Sequence, residues 1–129
     1  MLRIIVLSVS FCFFCMLGVS QNEAPKIYFV EDVKHVATLF QGAQHTYQFE
    51  FVNKGNSPLK INDVEVSCPC IEAKVSSKTL KKNEKGILTV KYRVPLRKGM
   101  IREKIFIYTN SKKKKKTIKI IGKILPNRI

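Results

Sequence analysis

The stretch from Tyr47 to Ile61 constrains the fold more than any other part of the chain. Tyr47, Phe49 and Phe51 alternate with Gln48 and Glu50, the pattern of a strand with one face buried and the other wet. Asn53 to Pro58 is turn chemistry, because glycine and asparagine accept positive φ and proline restarts the chain with φ already fixed. A second strand follows from Leu59 to Val66, and it runs into Ser67-Cys68-Pro69-Cys70.

Further segments repeat the theme. Ile27 to Val30 and Ala37 to Phe40 are short apolar runs, Gln41-Gly42 is a turn, and His45 to Val52 is a strand. Ile71 to Val75 reads as a short edge segment beyond the cysteines. Lys81 to Gly86 is a polar turn, and Leu88, Val90, Tyr92 and Val94 then alternate with Thr89, Lys91 and Arg93. Pro95 to Gly99 turns the chain again before Ile101 to Tyr108 and Thr117 to Leu125, with Ile105 and Ile107 set to face Ile118, Ile120 and Ile124. No stretch keeps a helical period. About seven short strands with regularly spaced turns in some 100 residues predict an all-β, immunoglobulin-like two-sheet sandwich.

The first twenty residues carry a different signal. After Arg3, Ile4 to Leu17 is an uncharged apolar run of fourteen residues, followed by the small residues Gly18-Val19-Ser20. That is the layout of a secretory signal peptide, and it is short of the roughly 20 residues that a membrane span needs. The predicted organisation is a signal peptide over 1–20 and one β-sandwich domain over 21–129, with no linker or repeat to divide it. Cys12 and Cys15 each follow phenylalanine, where a lipoprotein signal has a small residue, so no lipid anchor is expected. The product is then periplasmic or extracellular. The formal charge is +15, and it falls to +14 when Arg3 leaves, because none of the nine acidic residues precedes Glu23. Such an excess favours anionic partners.

The residues also carry a resemblance. The frame F-x-F-x-N-x-G-x-x-P-L-x-I from Phe49 to Ile61 leads to Ser67-Cys68-x-Cys70. A K-G-x-L-x-V-x-Y strand ending at Tyr92 follows, then Gly99, Thr109-Asn110 and a closing strand with Gly122. This resembles the bacterial domain of unknown function "fifteen seventy-three", common in secreted Bacteroidetes proteins. The resemblance implies an immunoglobulin-like fold related to abnormal-spindle/Hydin-type and major-sperm-protein modules, which are non-catalytic interaction domains. Where that family usually has Cys-Gly-Cys-Thr, this chain has Cys68-Pro69-Cys70-Ile71.

Two features invite a functional reading. On an extended strand Cys68 and Cys70 would sit near the 6.8 Å Cα limit for a disulfide, so a bridge requires a bend, which Pro69 suits. Three readings of the pair stand side by side. It is a half-buried pair or a local disulfide; or a soft-metal site for copper(I), with His35, His45 or Met100 as supplementary ligands; or a thiol-exchange pair. A redox thiolate wants a basic neighbour, and Lys54 and Lys74 are the candidates near in sequence. The second feature is Lys112, Lys113, Lys114, Lys115 and Lys116, five consecutive lysines between the last two strands. They read as the exposed tip or start of a hairpin and as a candidate anion-binding run. Interleaved exposed aromatics for base stacking are not evident, so nucleic acid is not an expected partner.

Nothing points to catalysis. The two histidines are isolated, no G-x-S-x-G elbow or phosphate loop occurs, and the carboxylates are scattered. Asp63 and Glu65 read as a wet strand face, and Asn53 and Asn110 as turn formers that bond nearby backbone. The sequence therefore predicts an exported, non-catalytic binding or assembly module without a required cofactor. Its expected partner is another extracytoplasmic protein, engaged for instance by edge-strand pairing, or an anionic cell-envelope surface. The alternative is an extracytoplasmic copper-handling or thiol-redox protein working through the cysteine pair.

Overall fold

The computed structural model describes residues 24–126, so the leader segment over 1–20, with Cys12 and Cys15, lies outside the described residues. Ten strands fill the described chain. They are β1 (Ile27–Phe29), β2 (Val33–His35), β3 (Leu39–Phe40), β4 (Gln44–Asn53), β5 (Leu59–Val66), β6 (Ile71–Val75), β7 (Thr79–Leu80), β8 (Lys85–Arg93), β9 (Gly99–Thr109) and β10 (Lys115–Leu125). One sheet has the order β1-β4-β8-β6. The other runs β2-β10-β9-β5-β7, with β3 also paired to β10.

The two sheets face one another across a single core, as the alternation requires. Phe49, Phe51, Leu88, Val90 and Tyr92 project from the first sheet, and Leu59, Ile101, Ile105, Ile107, Ile118, Ile120 and Ile124 from the second. The predicted all-β sandwich is therefore borne out. Its strand number is higher than seven because β2, β3 and β7 are two or three residues long. They extend the second sheet by pairing with the flanks of β10 and β5, and β2 and β3 run parallel to β10. Pieces this short carry no readable alternation.

The last hairpin keeps the predicted face but not every pairing. Ile105 stands opposite Ile118, whereas Ile107 meets Lys116, Ile120 meets Glu103 and Ile124 meets Gly99. All five isoleucines still point into the core. The Asn53–Pro58 turn also works differently from its composition. Positive φ occurs at Gly42 (76°), Asn83 (62°) and Gly99 (108°), not at Gly55. Gly55 is required for close approach, because a β-carbon there would overlap the backbone of Ala24, Pro25 and Lys26.

Asn53 is fully buried and acts as the hub of that corner. Its Oδ1 accepts the backbone N–H groups of Gly55 (3.0 Å) and Lys26 (3.3 Å). Its Nδ2 donates to the carbonyls of Ser57 (2.7 Å) and Leu80 (3.1 Å). The local turn bonds are there, and two of the four partners belong to distant segments. Asn110 departs further from a turn former. Its Oδ1 accepts the Lys60 N–H (2.9 Å) and its Nδ2 donates to the Pro58 carbonyl (3.2 Å), so it ties the β9–β10 turn to the start of β5.

Candidate functional site

Cys68 and Cys70 lie where the chain leaves β5 in one sheet to enter β6 in the other. The strand ends at Val66, and the backbone bends so that the Ile71 N–H donates to the Cys68 carbonyl at 3.1 Å. That bend brings the two α-carbons to 5.1 Å, and the sulfurs are joined as a disulfide. The Cys70 N–H points at the Cys68 Sγ, 3.2 Å away. Both residues are half-buried against the core, while Ser67 and Pro69 on either side are exposed.

Beneath this turn sits a residue that sequence reasoning missed. Glu103 on β9 is buried, and one of its carboxylate oxygens lies within 4.8 Å of both bonded sulfurs. Ser67 Oγ donates to Glu103 Oε2 at 2.9 Å and itself accepts the Lys104 N–H at 2.8 Å. Arg97, in the β8–β9 connection, reaches Glu103 Oε1 at 3.4 Å while its guanidinium stays half-exposed. From the opposing sheet Tyr92 adds a fully buried hydroxyl without a hydrogen-bond partner among the described residues. Burial pushes its phenol up to about 12, and the negative field of Glu103 adds to this, partly offset by Arg97. The signal for Glu103 was present in the sequence. Ile101, Glu103, Ile105 and Ile107 occupy the same phase of one strand, so a carboxylate stands in a row of core isoleucines.

The other candidates near the pair are engaged elsewhere. Lys54 lies over the Tyr28 ring, 3.7 Å from its centroid, and Lys74 pairs with Glu72 at 3.2 Å. His45 stacks on Tyr47, and His35 belongs to β2. Met100 is exposed on β9. Among the described residues, the cysteines are grouped for metal ligation with Glu103, and neither histidine joins them. Asp63 and Glu65 are both exposed. Asp63 caps the Val64 N–H, and Glu65 accepts the Tyr108 hydroxyl, which raises that phenol above its ordinary value.

The lysine run falls at the far end of β9. Lys112, Lys113 and Lys114 make the β9–β10 turn and Lys115 and Lys116 open β10. From Lys104, beside the cysteine turn, to Asn110 is six residues, or about 20 Å at the rise of an extended strand. The turn is held by Ser111, whose hydroxyl donates to the Lys113 carbonyl at 2.8 Å and lies 2.6 Å from Thr109 Oγ1.

This turn overhangs β1 to form a cleft of about 610 Å³. Lys112, Lys113, Lys115 and Lys116 line it together with Lys26, whereas Lys114 does not. Its one carboxylate is Asp32, already bonded to Lys116 Nζ at 3.1 Å. Half-exposed Tyr28 contributes an aromatic wall. Here the structure departs from the sequence reading, because folding places an exposed ring beside the lysines from a segment 84 residues earlier, counting from Tyr28 to Lys112. β1 is also an edge strand, paired among the described residues with β4 alone.

Comparison with known proteins bears on the fold and the family. A Porphyromonas gingivalis W83 protein of unknown function superposes with a TM-score of 0.68 at 15% identity, over 84% of this chain and 51% of that one. The present chain thus spans about half the length of that relative. The ASH/PapD-like domain of human CEP192 gives a TM-score of 0.62 at 11% identity, over 81% of this chain and 89% of the other. The secreted serine protease VesC from Vibrio cholerae gives 0.61 at 12% identity, over 88% of this chain and 25% of that protein. At such identities the likeness concerns the fold alone. No curated protein sequence matches the chain. The model of the family described as protein of unknown function (DUF1573) matches residues 27–124, which take in every strand but the last residue of β10, and the chain belongs to that family.

Proposed function

We propose that this protein is an exported binding module that holds an acidic, extended segment of another extracytoplasmic protein in the cleft between β1 and the β9–β10 turn. The observation that carries the reading is the composition of that cleft: five lysines and one already-paired carboxylate around an edge strand. An edge strand offers backbone N–H and C=O groups to an added strand, which gives affinity, and the surrounding side chains set the preference. Carboxylates on the added segment would meet the lysines, and an apolar or aromatic side chain would meet Tyr28. The leader-like segment over 1–20 and a disulfide, which persists in oxidising compartments, support export. Among the described residues no helix is long and apolar enough to cross a membrane.

The test is titration with a fluorescent poly-glutamate peptide, beside vesicles rich in an anionic phospholipid. The peptide is expected to bind. Replacing Lys112, Lys113, Lys115 and Lys116 with alanine should weaken it by about tenfold or more, and raising salt should do the same, since exposed charges are screened. Peptide binding unchanged by those replacements would remove the cleft from the mechanism. Vesicle binding without peptide binding would replace the protein partner with the envelope surface.

A further inference from the structure

We infer that Cys68–Cys70 is an exchange-active disulfide and that Glu103 is the general base that handles its protons. This inference is independent of the lysine cleft, which lies at the other end of β9.

The bond is poorly placed to be a staple. Cross-links stabilise chiefly by closing long loops, and this one closes a loop of three residues. It is well placed for chemistry. Both cysteines are half-buried, on a turn whose flanking residues Ser67 and Pro69 are exposed. Glu103 is the one charged side chain buried among the described residues. A carboxylate out of water is costly, and packing alone would be met by a fourth isoleucine in the row of Ile101, Ile105 and Ile107. Instead the carboxylate stands within 4.8 Å of both sulfurs, fixed by the Ser67 hydroxyl and steadied by Arg97. A group so held can accept a thiol proton. The Cys70 N–H, aimed at the Cys68 sulfur, favours negative charge there and marks Cys68 as the first nucleophile.

Starting from the dithiol, Glu103 takes the Cys68 proton and the thiolate attacks one sulfur of a substrate disulfide R–S–S–R′. A mixed disulfide forms, and R′S⁻ leaves with the proton from Glu103. The carboxylate then takes the Cys70 proton, the Cys70 thiolate attacks Cys68 of the mixed disulfide, and RS⁻ leaves and is protonated in turn. Two electrons and two protons pass to the substrate, so dithiol plus R–S–S–R′ gives the closed disulfide plus RSH and R′SH. A thiol donor returns the pair to the dithiol by the reverse path. The charged and titratable groups facing Glu103 are Arg97 from the β8–β9 connection and Tyr92 from β8, with Tyr47 of β4 beyond it. Tyr92 stays neutral throughout the working range.

The experiment measures the rate at which the reduced mature chain over 21–129, which lacks Cys12 and Cys15, consumes oxidised glutathione under chelator from pH 5 to 9. A synthetic Ser-Cys-Pro-Cys-Ile peptide serves as the comparator. The protein should exceed the peptide by about tenfold or more near neutral pH. Glu103→Gln should slow exchange by about 100-fold, the usual scale for a positioned base. Ser67→Ala, at an exposed site, guards against a Glu103→Gln chain that does not fold. Loss of the hydroxyl that fixes the carboxylate should slow exchange by about tenfold. A protein no faster than the peptide, a Glu103→Gln rate equal to that of the wild type, or a rate unmoved by Ser67→Ala would overturn the inference.

Discussion

A buried phenol without a hydrogen-bond partner forfeits its hydration, at about 1–3 kcal/mol for such a group, and among the described residues Tyr92 is in that position. Tyr92→Phe should therefore be neutral or stabilising, by up to about 1 kcal/mol, in urea unfolding near neutral pH. The phenol also has a pH signature. Its folded value is pushed up to about 12 from 10.0, so between these the unfolded chain gives up its proton while the native one keeps it. Stability must then fall as pH rises through that window, by about 2–3 kcal/mol in all, and be unaffected below it. Wild type and Tyr92→Phe should diverge in denaturation midpoint between pH 10 and 12, since every other group is common to both. Asn53 has the opposite standing. With four buried or half-buried partners, Asn53→Ala should cost about 2–4 kcal/mol, because it strands donors and acceptors as well as deleting bonds. A loss under 1 kcal/mol in the same assay would show that water replaces the side chain.

Elements of four or more residues were legible because alternation needs several periods to be seen. β4, β5, β6, β9 and β10 fall within two residues of their predicted spans, and the turn at Gly42 falls where composition puts it, whereas β8 begins three residues early and takes Lys85 and Gly86 out of the predicted Lys81–Gly86 turn. β3 falls inside the apolar run Ala37–Phe40, but β2 and β7 were not separable from loop, since their strand character comes from a neighbour's free flank and not from their own residues. The same distinction applies to the sites. The Cys68 and Cys70 positions and the lysine run are local motifs. Glu103 beneath the sulfurs and Tyr28 beside the lysines are products of register between distant strands, and only the odd charge in an isoleucine row hinted at the first. At this scale Gly86 offers a test. It pairs with Phe51 across β4 and β8, and a β-carbon there would stand 2.5 Å from the ring. Gly86→Ala should force the phenyl out of place and lower stability by about 1–3 kcal/mol, the usual cost of overpacking, as read from the midpoint of thermal unfolding.

Over the whole molecule, the cysteine bond and the lysine cleft are separated along β9, so each can change without the other. A three-residue loop contributes only about 1–2 kcal/mol of chain entropy when closed. Reduction should accordingly leave a folded sandwich, with unchanged circular dichroism and a melting temperature lower by about 10 °C at most. Collapse on reduction would mean that the bond holds the two sheets together at the β5–β6 crossing. The opening of the described chain plays the larger architectural part. β1 lies on the outer flank of β4 in one sheet, while β2 and β3, a few residues later, lie along β10 in the other. The segment up to Phe40 therefore works as a hem stitched to both layers. Unpicking it by proteolysis or truncation would bare the three residues of β4 and the five of β10 that it pairs, leaving the outer flank of each strand open along its length, and long, unprotected flanks of that kind drive chains to associate with their own copies.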